Sequence, residues 1–177
     1  EEASYRRILV PLDGSPRSES AIPTAVRIAV HQKAELILIH ATPKPEFLRT
    51  AALEPEDVEL YEQLSQRNAL AARKYLDRIR QSLAHCDVVV RTLIVKNGDV
   101  RRLLADAISV QSADLLVMSS HGHSGYGDVP AGDVSRFILS RSNIPVLMVR
   151  TPVVAGSDHI YSSAESKGAR RPHGTVG

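Results

Sequence analysis

Short apolar runs alternate with amphipathic stretches along the first 150 residues of the chain. Five runs rich in Val, Ile and Leu, most of them followed by turn residues, predict β-strands. The predicted strands are Arg6–Leu12, Ala34–Ala41, Asp87–Val95, Ala113–Ser119 and Ile144–Arg150. The remaining sequence up to residue 150 supplies the helices and loops that connect them.

Apolar residues recur at helical spacing between the predicted strands. The predicted helices are one that starts at Ser15, followed by Glu56–Ala84, Asp99–Ser112 and Asp133–Ser142. Pro23 lies about two turns into the first of them, where a proline allows a kink. Asp99 is a predicted N-cap. Strands and helices in this alternation predict an α/β fold, a doubly wound five-stranded parallel sheet with helices on both faces.

Two loops are candidates for a ligand site, because open sheets of this kind bind ligands beyond the carboxyl ends of their strands. One is PLDGS, which follows the first strand, and the other is SSHGHSGYGDVPAGDVS, residues 119–135. Asp13 ends the first strand at this edge. Its carboxylate has two interpretations, a turn or cap residue or a group that contacts a ligand, and the sequence leaves both open.

Composition excludes several classes of protein. The 177 residues carry a net charge of +2, contain 4% aromatic residues and have no long basic run in the predicted folded part, which argues against nucleic-acid binding. The single cysteine, Cys86, excludes an intrachain disulfide framework. No apolar run approaches the ~18–20 residues of a membrane span. We therefore expect a cytoplasmic protein with no membrane association.

Common catalytic and nucleotide-binding signatures are missing from the sequence. It contains no GxxxxGK[ST] loop, no GxGxxG after the first strand and no GxSxG. His121 and His123, with Asp128 nearby, could share a metal ion, but histidines in a glycine-rich loop are more often solvated, so we predict no metal site. No residue has the placement of a catalytic group.

Five segments together resemble the universal stress protein family over residues 5–150. They are ILVPLDGSPRSESAI, AELILIHA, NGD, ADLLVMSSHG and GDVSRFILSRSNIPVLMV. The resemblance implies an adenine nucleotide alpha hydrolase-like fold with strand order 3-2-1-4-5, and a homodimer paired through the last strand, Ile144–Arg150. It implies a regulatory role in the stress response and does not by itself imply an enzyme, so we expect at most slow ATP hydrolysis.

Members of that family that bind ATP resemble a pattern of Gly, two residues, Gly, nine residues, Gly, then Ser or Thr. In this chain the three glycine positions hold Ser119, Gly122 and Gly132, and the hydroxyl position holds Asp133. Two of the three glycines are present, and an acid replaces the hydroxyl. The resemblance therefore implies a nucleotide site with altered phosphate contacts.

The same resemblance assigns nine residues to the binding site. At the adenine end they are Pro11, Asp13, Ala41 and Met118, and towards the phosphates they are Ser119, Gly122, Gly132, Asp133 and Val134. We expect Asp133 to be the N-cap of the last helix, where its carboxylate would accept the N–H groups that a phosphate uses. Alternatively, Asp133 could bridge to the phosphates through Mg²⁺.

Two functions stay open at this point. One is a regulatory protein with weakened binding of ATP, with Mg²⁺ as a possible companion ion, and the other is a nucleotide-free homodimeric interaction module of the same fold. The sequence predicts one domain over residues 1–150. Residues 151–177 are rich in Gly, Ser, Ala and charged residues and predict a disordered tail.

Overall fold

Five parallel strands form one sheet in the computed structural model, which describes residues 4–44, 55–120 and 132–150. The strands are β1 (Arg7–Pro11), β2 (Glu35–Pro43), β3 (Val90–Gly98), β4 (Leu115–Ser119) and β5 (Val146–Val149). Their order across the sheet is β3-β2-β1-β4-β5, and every pair of neighbours is parallel. The predicted fold class and the strand order implied by the resemblance are both confirmed.

Five helices accompany the sheet in the described ranges. They are α1 (Pro16–Glu19), α2 (Ile22–Gln32), α3 (Pro55–Ser82), α4 (Val100–Val110) and α5 (Asp133–Arg141). Each crossover from one parallel strand to the next contains at least one helix, as parallel pairing requires. The predicted tail, residues 151–177, lies outside the described residues.

The sheet separates two apolar clusters, because successive side chains along a strand point to opposite faces. On one face, Ile8 and Leu38 pack with α2 and with Leu76 of α3. On the other, Leu9 packs with Leu104 of α4 and with α5. The central strands β1 and β4 are buried from both sides, which explains why they read as continuous apolar runs rather than as alternating ones.

The prediction of one helix from Ser15 is wrong, because the segment is divided into α1 and α2, and Pro23 does not kink a continuous helix. Ser15 caps α1, and its side chain accepts from the N–H of Ser18. The second helix begins at Ile22, which places Pro23 in its first turn. A proline there disrupts nothing, because the first N–H groups of a helix have no acceptor within the helix.

The strands facing α3 differ from their predicted limits. β2 continues to Pro43, and β3 runs from Val90 to Gly98, with a shift of register between Thr42 and Pro43. The turn predicted at KNGD is present in part, since Asn97 has a left-handed φ of 67° while strand pairing continues to Gly98. The predicted N-cap of α4 is confirmed, because the Asp99 carboxylate accepts from the N–H of Arg101 at 2.9 Å.

Candidate functional site

A cleft opens at the carboxyl edge of the sheet, where β1 and β4 lie side by side. It encloses about 770 Å³ of empty space, part of which is open to solvent. The strand order reverses at β1 and β4, so this is the position at which doubly wound sheets bind ligands. The lining residues are Pro11, Leu12, Asp13, Ser18, Ala41, Val100, Leu104, Met118, Ser119, Gly132, Asp133, Val134 and Ser135.

Eight of the nine residues predicted for the site line this one cleft. They are Pro11, Asp13, Ala41, Met118, Ser119, Gly132, Asp133 and Val134. The ninth, Gly122, lies outside the described residues, as do His121, His123 and Asp128. The structure thus brings together residues that are separated by more than 100 positions in the chain, and their contact with a ligand stays a prediction.

Sequence reasoning missed several residues of the lining. Val100 and Leu104 come from the first turns of α4, and Ser18 and Ser135 come from α1 and α5. The spacing of Val100 and Leu104, four residues apart directly after a predicted N-cap, was the available signal. It placed both side chains on one helix face but did not say that this face reaches the cleft.

One wall of the cleft is apolar and can accommodate a flat base. In this wall, Met118 and Leu104 are almost fully buried, and Ala41 and Val100 are half-buried. The small side chain of Ala41 at the end of β2 leaves space that a larger residue would fill. Apolar walls with a few polar groups are the usual composition of sites for heterocyclic ligands.

The loop after β1 is ordered by its own side chains. Asp13 Oδ1 accepts from the backbone N–H of Ser15 at 2.9 Å and from its hydroxyl at 2.6 Å. The backbone N–H of Asp13 in turn donates to Ser18 Oγ at 3.2 Å. Gly14 between them has a φ of 86°, which few other residues adopt without strain. The turn interpretation of Asp13 is therefore correct, and the same residue still lines the cleft.

The start of α5 forms the opposite wall, and it corrects the expectation for Asp133. Gly132, in an extended conformation, occupies the N-cap position, and no side chain caps the helix among the described residues. Asp133 is instead the first helical residue. Its carboxylate is exposed and accepts from Arg136 Nη2 at 2.8 Å, one turn further along the helix. The expected bond to the helix N–H groups is therefore wrong.

Ser135 anchors this wall to the end of β4. Its buried hydroxyl lies 3.2 Å from the carbonyl oxygen of Ser120 and 3.3 Å from that of Ser119. The N–H of Gly132 also donates to Ser120, at 3.0 Å. These contacts hold the first turn of α5 against the strand end, where residues 132–135 line the cleft.

Comparison with known proteins agrees with this geometry. Residues 4–150 match the sequence profile described as the Universal stress protein family. The chain belongs to the universal stress protein family. The universal stress protein Rv2005c of Mycobacterium tuberculosis is 31% identical over 151 residues, which are 84% of this chain and 47% of that protein. The chain thus spans about half the length of the first curated relatives it matches. YxiE of Bacillus subtilis is 28% identical, over 82% of this chain and 99% of that protein.

Solved structures of universal stress proteins share the fold. The protein UspA from Lactobacillus plantarum aligns with a TM-score of 0.73 at 23% identity, covering 84% of this chain and all of that one. A universal stress protein in complex with cAMP aligns with a TM-score of 0.55 at 24% identity, over 84% of this chain and 99% of that one. A family protein from Arabidopsis thaliana with AMP bound gives 0.59 at 16% identity, over 86% and 97%.

Two further features of this universal stress protein domain concern membranes and metals. None of the helices in the described part of the chain has the length and apolar character needed to cross a bilayer. Within the same residues, no three His, Cys, Asp or Glu side chains lie close enough together to hold a metal ion.

A half-buried histidine, His40, lies near the loop that carries Asp13. The His40 ring packs edge-on against Tyr75 of α3, with ring centroids 5.9 Å apart. Neither His40 Nδ1 nor the Tyr75 hydroxyl has a hydrogen-bond partner among the described residues. Burial lowers the pKa of His40, and the backbone carbonyl of Leu12 and the charge of Asp13 oppose that shift only in part. Burial and the nearby Glu19 carboxylate raise the pKa of Tyr75.

The lowered pKa of His40 predicts that acid destabilises the protein. A histidine in the unfolded chain takes up a proton as the pH falls through about 6.5, whereas folded His40 does so only at lower pH. Its contribution to the free energy of unfolding is therefore complete above about pH 6.5 and is lost as the pH falls towards the folded pKa. Urea unfolding at about pH 7.5 and pH 5 should show a larger loss for the natural chain than for His40→Gln. Equal losses of unfolding free energy in the two proteins would show that His40 does not cause the destabilisation in acid.

Proposed function

We propose that this chain is a regulatory universal stress protein that binds an adenine nucleotide in the cleft between β1, β4 and the start of α5. The observation that carries the proposal is the convergence of eight predicted site residues on one cleft at the switch point of the sheet. Solved family members with cAMP or AMP bound support the choice of ligand class. A role in the stress response follows from family membership and is part of the proposal.

The two ends of the cleft suit the two ends of a nucleotide. The apolar surface around Ala41 and Met118 would bury the base, and the ordered Asp13 loop would supply polar contacts at its rim. The start of α5, which no side chain caps among the described residues, would receive the phosphates, since a helix N-terminus offers unpaired N–H groups and partial positive charge. This function is one of binding, with at most slow ATP hydrolysis.

Mg²⁺ does not fit Asp133 well in this conformation. The carboxylate that would bridge ion and phosphate is already paired with the guanidinium of Arg136. Bringing a divalent cation to the same oxygens would place like charges close together, which is unfavourable. We therefore propose nucleotide binding without a metal ion held by Asp133.

Calorimetric titration tests this function directly. ATP, AMP and adenosine should each release or absorb heat on binding to the natural chain, with dissociation constants in the range of about 10 µM to 1 mM. The absence of heat with all three ligands up to millimolar concentration would reject the function. It would favour the alternative of a nucleotide-free interaction module.

A homodimer through the last strand is also part of the proposal. In the described chain, β5 pairs with β4 on one side and forms the outer strand of the sheet. An outer strand presents N–H and C=O groups that can pair with a second copy, and Leu147 on it is 37% exposed. Light scattering should give twice the mass of one chain, and a monomer at working concentration would contradict the proposed dimer.

The cytoplasmic location expected from the sequence is likewise part of the proposal.

A further inference from the structure

Two arginines, one on α4 and one on α5, lie close to Asp133, a residue that lines the cleft at the start of α5. Arg101 lies in the first turn of α4, next to the lining residue Val100. Arg136 lies in the first turn of α5, next to the lining residue Ser135. The sequence pattern of the family drew attention to glycines and a hydroxyl, and it assigned no role to either arginine.

Arg101 is held in position between the two helices. Its guanidinium makes a two-pronged contact with Asp99, from Nη2 at 2.6 Å and from Nε at 3.1 Å. The same group lies 5.6 Å from the centre of the Phe137 ring of α5. It is therefore directed towards α5, and about half of the side chain is exposed. Asp99, and to a lesser degree Asp133, raise the pKa of Arg101, which places the two acids around it.

Arg136 has a weaker attachment. Among the described residues, its ion pair is the 2.8 Å contact with Asp133, and both side chains are mostly exposed, at 63% and 78%. Exposed ion pairs of this kind contribute little and exchange readily. An incoming anion can therefore replace Asp133 as the partner of Arg136 with only a small loss of free energy.

The charges of the four described side chains balance. Arg101 pairs with Asp99 and Arg136 pairs with Asp133, so these four groups together carry no net charge. Guanidinium groups bind phosphate oxygens in pairs of parallel hydrogen bonds, which are stronger than bonds between neutral groups. Asp133 is the group that must give way, because it accepts from the same Arg136 nitrogen that would donate to the phosphate.

We propose that Arg101 and Arg136 hold the phosphates of the bound nucleotide, in the place of the hydroxyl residue of the family pattern, and that Asp133 competes with the ligand for Arg136. The proposal rests on the proposed function, because it requires the base to occupy the same cleft. It predicts that this chain prefers ligands with more phosphate groups and that Asp133 lowers their affinity.

A set of matched variants separates these arginines from general effects of charge. Arg101→Gln and Arg136→Gln should each weaken ATP binding about tenfold, the loss expected for one charge-assisted contact, and should change adenosine binding less than twofold. Arg141→Gln is the control. It removes the same charge and a similar contact with Phe137, at 5.1 Å, but Arg141 lies at the end of α5 far from Asp133 and lines a different groove. It should leave ATP affinity unchanged.

Asp133→Asn gives the sharper measurement, because the two roles considered for the acid predict opposite signs. If Asp133 competes for Arg136, the variant should bind ATP about tenfold more tightly, and the gain should vanish in the double variant Asp133→Asn with Arg136→Gln. If Asp133 instead holds Mg²⁺, the variant should bind ATP more weakly, and only when Mg²⁺ is present. Titrations with ATP in Mg²⁺ and in EDTA therefore decide between them.

The outcomes also distinguish a failure of the arginine proposal from a failure of the proposed nucleotide binding. Binding of adenosine and ATP by the natural chain, with Arg101→Gln and Arg136→Gln indistinguishable from Arg141→Gln, would overturn the arginine pair and leave the nucleotide site standing. No binding of any of the ligands would reject the site itself. Thermal unfolding of each variant, expected to match the natural chain within a few degrees, shows that a lost affinity is not a lost fold.

Discussion

Ala41→Phe should abolish measurable nucleotide binding while leaving the protein folded. The ring would occupy the apolar part of the cleft at the end of β2, where Ala41 is half-buried and faces open space. If the base can no longer be buried there, about 3 kcal/mol of binding free energy is lost, which corresponds to a fall in affinity of roughly 100-fold. Competition against a fluorescent ATP analogue measures this loss.

The control for Ala41→Phe is the same change at Ala71, an exposed position of α3. Ala71→Phe should leave nucleotide affinity unchanged. Both variants should unfold in urea within about 1 kcal/mol of the natural chain, because neither ring is forced into a filled core. An Ala41→Phe protein that binds ATP normally would show that the base lies elsewhere, and the cleft could no longer be proposed as the nucleotide site.

Leu116→Ala should cause the largest loss of stability among the changes considered, about 3–5 kcal/mol. Leu116 is completely buried in the middle of the sheet, where β4 pairs with β1 on one side and β5 on the other. It belongs to the cluster that includes Leu104 and Ile138, so its removal leaves a cavity between the sheet and both helices that wall the cleft.

Leu139→Ala is the matched control for this loss. Leu139 follows Ile138 on α5 but is 47% exposed, so the same truncation should cost no more than about 1 kcal/mol. Urea unfolding of both variants gives the comparison, with the denaturant slope unchanged if the fold is intact. A cost below about 1.5 kcal/mol for Leu116→Ala would mean that the two faces of the sheet repack more easily than the clusters suggest.

The fold could be predicted from the sequence because its strongest signals are local. Strands β1 and β4 are continuous apolar runs since both of their faces are covered, and the helices between them have clear apolar periodicity. The division of the first helix was missed for a local reason as well. Pro16 and Pro23 each suit the first turn of a helix, and the sequence does not say that both of them occupy such a turn.

The candidate site was predictable only where the family pattern supplied positions. Asp133 was expected to be an N-cap because Asp is common there, but the preceding Gly132 takes the extended cap conformation and displaces the acid into the helix. The ion pair of Asp133 with Arg136 is local, since the two residues lie three apart on α5, whereas the approach of Arg101 to Phe137 depends on how α4 and α5 pack together. His40 ends an apolar run, and its burial against Tyr75 follows from the placement of α3, which no local pattern encodes.

The pairing of β1 with β4 has a consequence for biosynthesis. Ile8 aligns with Leu115, so more than 100 residues must be translated before β1 gains its second neighbour. At about 5–20 residues per second this takes roughly 5 to 20 s, during which one edge of an apolar strand stays unpaired on the ribosome. We expect chaperones to bind the nascent chain in this interval. A nucleotide could not replace them, since neither wall of its cleft is complete until β4 and α5 have emerged.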